Sequence, residues 1–172
     1  MTEQNSNGNG SGNGQTTGNG NGSGSGSTSP AFVLHQLYVK DLSFEAPSTP
    51  QIFREQAVEP ETELNIRNSH ASLENNHFEV VLNITVHAKQ SDKTIFLVEL
   101  QQAGIFMING FTTEQTAQLL GTQCPSTLFP YARETIATMV GKGGFPPLVL
   151  QPINFENLYA QAQAQGQQGA QA

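Results

Sequence analysis

The sequence predicts an α+β fold, in which a sheet of antiparallel strands is followed in chain order by helices packed on one of its faces. Two observations carry that prediction. In Glu61–His70 and above all in His77–Lys89 apolar and polar residues alternate with the period of two that a half-buried strand requires, and a further strand follows the turn at Gln90–Lys93. After Asn109-Gly110 the apolar residues recur at three- and four-residue steps, the spacing of one helix face.

The first strand covers about Phe32–Phe44. Both its faces are apolar as far as Val39, after which Leu42 and Phe44 alternate with Asp41, Ser43 and Glu45; two-sided apolarity suggests burial against a neighbour such as another subunit. Ala46–Pro60 contains three prolines and Phe53 and reads as a long crossover connection. In Glu61–His70, Leu64 and Ile66 point inward and Glu63, Asn65 and Arg67 outward. The pattern is cleanest from His77 to Lys89, where Phe78, Val80, Leu82, Ile84, Val86 and Ala88 share a face and only Val81 breaks the polar one. Gln90–Lys93 is a polar turn, after which Phe96, Val98 and Leu100 oppose Ile95, Leu97, Glu99 and Gln101, completing a hairpin.

Thr112 and Gln115 have the spacing of a capping box and open a short helix with Ala117, Leu119 and Leu120. A second helix places Leu128, Tyr131, Ala132, Ile136, Met139 and Val140 on one face, with Thr127 as its cap and Pro130 in the first turn, where a missing N–H costs nothing. Gly141, Gly143 and Gly144 supply a left-handed stop. Pro146, Pro147 and Pro152 then keep Leu148, Val149, Leu150 and Ile153 extended.

The ends are different in kind. Met1–Ser29 consists of Gly, Asn, Ser, Thr and Gln with almost nothing apolar, so it cannot offset its ordering entropy and reads as a disordered tail. The Gln/Ala-rich run 160–172 reads as a flexible tail with room only for the start of a helix. One folded domain, residues 30–159, remains.

The formal charge is −7, and seven dispersed cations form no basic stripe, which argues against nucleic acid. Cys124 is the sole cysteine, so an internal disulfide is excluded and a reducing compartment fits. No basic segment followed by an apolar core opens the chain and no apolar run approaches membrane-spanning length. These features lead to the expectation of a cytoplasmic protein without direct membrane insertion.

The sequence carries little that points to chemistry. His77 and His87 share a strand face but lie ten residues apart, about 34 Å on an extended chain, and His35 and His70 have no ligand spacing. Cys124 has no base partner signalled for nucleophilic work. Gly141-Lys142-Gly143-Gly144 follows a helix instead of opening one and is a helix stop, not a phosphate loop. Asn83-Ile84-Thr85 matches a glycosylation acceptor but falls inside a strand. No enzyme activity, cofactor or metal is expected.

Five strings carry a family resemblance: Leu37 to Glu45 (LYVKDLSFE), Glu79 to Leu82 (EVVL), Gln101 to Phe106 (QQAGIF), Leu128 to Glu134 (LFPYARE) and Pro152 to Phe155 (PINF). In this order, within a stretch from about Leu34 to Tyr159, they resemble the SecB family, export chaperones of the bacterial Sec pathway. The resemblance implies a four-stranded antiparallel sheet with helices on one face, assembled as a dimer of dimers. It also implies a holding chaperone that hydrolyses nothing, keeps unfolded precursor proteins translocation-competent and delivers them to the translocase motor ATPase.

Carried over residue by residue, the resemblance assigns motor binding to Asp41, Glu45, Leu97 and Glu99, and tetramer assembly to Val98, Leu100 and Gln102. Phe53, Phe96 and Tyr159 match aromatic positions of the client groove, and Leu42, Phe44, Phe145 and Leu148 are additions by location. The family often has a tryptophan in the crossover, and this chain has Ala57-Val58 thereabouts. Two other readings stay open from the residues: a SecB-like chaperone dedicated to an antitoxin, and a small α+β enzyme or ligand carrier with a pocket between sheet and helices.

Overall fold

The computed structural model describes residues 29–55 and 60–169. The tail 1–28 and Ala57-Val58 lie outside the described residues. Four strands, β1 (Ala31–Glu45), β2 (Glu61–Ser72), β3 (His77–Gln90) and β4 (Lys93–Asn109), form one antiparallel sheet in the order β1-β4-β3-β2. Three helices follow, α1 (Thr113–Gly121), α2 (Gln123–Lys142) and α3 (Phe155–Gly169). All four strands precede the three α-helices, as the change of period requires, and the crossover between β1 and β2 holds one 3-10 turn, Gln51–Arg54.

The alternation in β3 translates directly into burial: Val80, Leu82, Ile84, Val86 and Ala88 are almost wholly inaccessible. They meet α2, whose Cys124, Leu128, Ala132, Ile136 and Val140 recur every four residues and are all fully buried. Such a ridge lies nearly along the helix axis and fits the inner face of a twisted sheet. Val98, Leu100, Phe106 and Ile108 of β4 complete the core.

The first strand narrows the two-sided reading. Its pairing with β4 skips His35, between Leu34 and Gln36, and Lys40, between Val39 and Asp41. Each skipped residue shifts the alternation by one. With both shifts Phe32, Leu34, Leu37, Val39, Leu42 and Phe44 fall in register with Ile108, Phe106, Gly104, Gln102, Leu100 and Val98 on the helix side, which leaves Val33 and Tyr38 on the outer face.

Three boundaries also differ from the sequence reading. The second helix begins at Gln123 instead of after Thr127, because Pro125, not Pro130, occupies its first turn and Cys124 extends the buried ridge. Pro130 is therefore inside the helix, on an exposed face, and Thr127 donates its hydroxyl to the Gln123 carbonyl at 2.8 Å. Tyr131, placed on the apolar face by spacing, is 48% exposed. At the far end only Gly144 is left-handed, with φ +87°, while Gly143 is right-handed at −70°. Finally, α3 continues to Gly169, well past Ala160, because Ala and Gln are good helix formers even where they bury little. The capping box at Thr112 and Gln115 forms in both directions.

Candidate functional site

Two apolar cavities open on the helix side of the sheet. The first, about 430 Å³, lies between the crossover, the start of β4 and the segment after α2. Phe53, Phe96, Phe145 and Leu148 line it, together with Ile52, Ile95, Pro146 and Pro147. Phe145 stands at its centre, with ring centroids 5.1 Å from Phe53 and 5.2 Å from Phe96. Phe44 backs this cluster from β1, stacked on Phe96 at 6.1 Å, and Leu42 packs against the core beside it without lining the cavity. The left-handed turn at Gly144 brings the backbone against the Phe53 ring, where a Cβ would stand 3.2 Å from its tip. Phe96 is buried, whereas Phe53 is 53% exposed and offers its ring to anything entering the cavity.

The second cavity, about 500 Å³, lies between β2, α1 and α3. Tyr159 lines it with Ile66, Asn68, His70, Gly121, Phe155 and Leu158. The Tyr159 ring lies on Gly121, in the space a side chain would fill, and Asn68 ties β2 to the end of α1 by donating to the Leu120 carbonyl at 2.8 Å. The predicted groove residues thus divide, with Tyr159 in one cavity and Phe53, Phe96, Phe145 and Leu148 in the other.

β2 joins the two. Thr62 borders the first cavity, and Ile66, Asn68 and His70 border the second. Leu64, between them on the same strand face, is 44% exposed. From Thr62 to His70 this floor runs about 27 Å, the length of some eight extended residues. Sequence reasoning took Leu64 and Ile66 for inward-facing core. Their alternation was correct, but a strand at the sheet edge is only half covered by helices.

The opposite face of the sheet carries a different chemistry. Glu45 pairs directly with Leu97 and Ser43 with Glu99, while Asp41 and Glu99 border one shallow depression. All four residues assigned to motor binding therefore come together on the outer face. Ion pairs tie Glu79 to Lys40 and Glu63 to Lys89 on this face, and Glu55 to Lys93. Among the described residues none engages Asp41, Glu45 or Glu99. The Lys40 ammonium, followed by the Tyr38 hydroxyl, holds the Glu79 carboxyl below the usual range. Burial, then the bond to Glu79, pushes the Tyr38 phenol up to about 12.

Val98, Leu100 and Gln102 lie on the inner face and are at most 2% exposed. Gln102 donates to the Tyr38 carbonyl at 2.9 Å, and its Oε1 is buried without a partner. These three present no surface in the single chain, so any part they play in assembly acts through the shape of the sheet. Cys124 is buried, which pushes its thiol up to about 12 and leaves it unsuited to nucleophilic work.

A family model described as preprotein translocase subunit SecB matches residues 25–166. The chain belongs to the SecB family of protein-export chaperones. It is 53% identical over 142 residues to a protein-export protein SecB of Nitrosococcus oceani, covering 82% of this chain and 87% of that one. With its counterpart from Marinobacter nauticus it shares 49% identity over 141 residues, covering 82% and 85%. Among solved structures, its SecB fold is similar to the Mycobacterium tuberculosis Rv1957 SecB-like chaperone in complex with a ChAD peptide from the Rv1956 HigA1 antitoxin. That match has a TM-score of 0.60 at 16% identity and covers 72% of this chain and 91% of that one. Among the described residues of this SecB chain, no helix is long and apolar enough to cross a membrane.

Proposed function

We propose that this SecB chain is an ATP-independent holding chaperone. It takes unfolded precursor segments into the two cavities and along the β2 floor between them, working as a homotetramer in the cytoplasm and passing its clients to the Sec translocase motor ATPase. The observation that carries this reading is the apolar track itself, two cavities joined by a half-exposed strand face with few fixed polar contacts.

A binder of many sequences needs apolar area more than a set hydrogen-bond pattern. Each 100 Å² of apolar client surface covered contributes roughly 2.5 kcal/mol, against about 2–5 kcal/mol for ordering the segment. Several patches must therefore act together, and copies of the chain in one assembly supply them through effective concentration. Motor docking falls to Asp41, Glu45, Leu97 and Glu99, whose uncompensated charge around an apolar residue suits a basic partner.

The SecB-like chaperone with an antitoxin peptide motivates a second reading, a client range limited to one antitoxin. Identity near 50% to protein-export proteins, against 16% to that chaperone, favours export. Native mass measurement with and without a denatured precursor tests the reading: four chain masses, rising on client addition, is the expected result. A single chain mass that ignores every denatured secretory protein would refute it.

A further inference from the structure

At one end of the outer sheet face His35 and His77, forty-two residues apart in sequence, bring His77 Nε2 within 3.0 Å of His35 Nδ1. Their ring centroids are 4.8 Å apart and the planes are inclined at 58°. His77 is held from behind, with its Nδ1 2.8 Å from the Asn75 carbonyl and 3.2 Å from that of Glu74. A carbonyl only accepts, so Nδ1 carries the proton and the lone pair of the neutral ring is on Nε2, facing its neighbour. The turn that aims these carbonyls is well fixed. Asn75 and Asn76 have φ of 57° and 58°, and the Asn76 carbonyl accepts from Ile108 N–H at 2.9 Å.

We propose that His35 and His77 form a two-imidazole site for a borderline divalent transition cation such as Cu²⁺, Ni²⁺ or Zn²⁺. With metal–nitrogen bonds of about 2.0–2.1 Å, two nitrogens on one ion stand about 2.9 Å apart at a right angle and about 3.3 Å apart in a tetrahedron. The observed 3.0 Å contact is a hydrogen bond from His35 Nδ1, so what it establishes is that the two rings approach to within this range, not a preformed bite. A backbone carbonyl fixing the tautomer from the far side of the ring is the outer-shell arrangement that metal-ligating histidines use. To admit the ion, neutral His35 moves its proton from Nδ1 to Nε2 and turns its ring, a motion open to an exposed side chain. No proton is released overall. Among the described residues no third ligand group joins the pair, so the remaining positions are left to water. An imidazole set without thiolate or carboxylate suits these cations and not Ca²⁺ or Mg²⁺. The bound ion links edge strand β1 to the start of β3.

The test is titration of the untagged full chain with Ni²⁺ by calorimetry, with Cu²⁺ electron paramagnetic resonance to count coordinating nitrogens. The expected result is one ion per chain with two imidazole nitrogens, and loss of affinity by about tenfold or more in both His35→Ala and His77→Gln. His70→Ala and His87→Ala should bind as the parent does. Metal should raise the melting temperature of the parent and leave that of His35→Ala unmoved. Affinity in His35→Ala equal to that of the parent, with the circular dichroism of both unchanged, overturns the proposal, as does an equal loss in His70→Ala. Client binding in the absence of metal is a separate readout, so failure here leaves the holding function standing.

Discussion

Replacing Phe53 with alanine isolates the client-binding role of the first cavity. A phenylalanine side chain has on the order of 200 Å² of surface. With 53% of Phe53 exposed in the free chain, about 100 Å² remains for a client to cover. At about 25 cal/mol per Å² full coverage contributes roughly 2.5 kcal/mol. Alanine retains a small part of this, so the loss should be about 2 kcal/mol, or some thirtyfold in affinity at each site. The other half of the ring packs on Phe145 and Gly144, so stability should also fall by about 2 kcal/mol, which leaves a folded chain to assay. Fluorescence anisotropy of a labelled unfolded precursor, at a temperature where circular dichroism shows both proteins native, gives the comparison. A change in affinity below about threefold would refute the claim that the exposed half of Phe53 contacts clients.

Charge reversal on the other face should separate the two activities: Glu45→Lys with Glu99→Lys is expected to weaken motor-ATPase binding by about tenfold or more while client binding stays near parental, as paired binding titrations would show. Pro130→Ala restores an N–H to the interior of α2 on its exposed side, and should stabilise the chain by about 1–3 kcal/mol, seen as a raised denaturation midpoint with an unchanged slope. The Glu79 carboxyl, depressed by Lys40 and Tyr38, favours the folded state above pH 4.5, and that contribution is lost as pH falls through its folded value. Glu79→Gln should therefore flatten the acid limb of a melting-temperature profile. At the alkaline end the raised Tyr38 phenol contributes stability below pH 10.0 that is lost as pH climbs to about 12, and Tyr38→Phe should soften that decline.

How much of this was legible depends on whether a feature is local. In β3 the alternation named Val80, Leu82, Ile84, Val86 and Ala88, because the strand follows its pleat without an inserted residue; Val81, buried on the opposite face, is the one it missed. The capping box was equally direct, since its partners lie three residues apart. β1 misled because an inserted residue is invisible to a count of alternation, and only pairing with β4 reveals it. The start of α2 was misplaced because Pro130 suits a first turn, whereas the helix begins seven residues earlier, at Gln123, with Pro125 in its first turn and Cys124 buried. The aromatic residues of the first cavity were found largely through resemblance, whereas Ile52, Ile95 and the β2 floor carry no signal beyond ordinary hydrophobicity. The histidine pair could not have been read at all, because ligand spacing along a chain says nothing about residues brought together across a sheet.

The two irregularities of β1 have one further consequence. His35 and Lys40, the residues left out of the ladder, both reach across the sheet, one to His77 and the other to Glu79 of β3, where Lys40 joins the in-register Tyr38. Released from the strict in-and-out order of their neighbours, they act as fasteners that clip the outermost strand to one beyond its immediate partner. Substitution at either position can thus retune how firmly that margin is held while every side chain of the hydrophobic interior keeps its place.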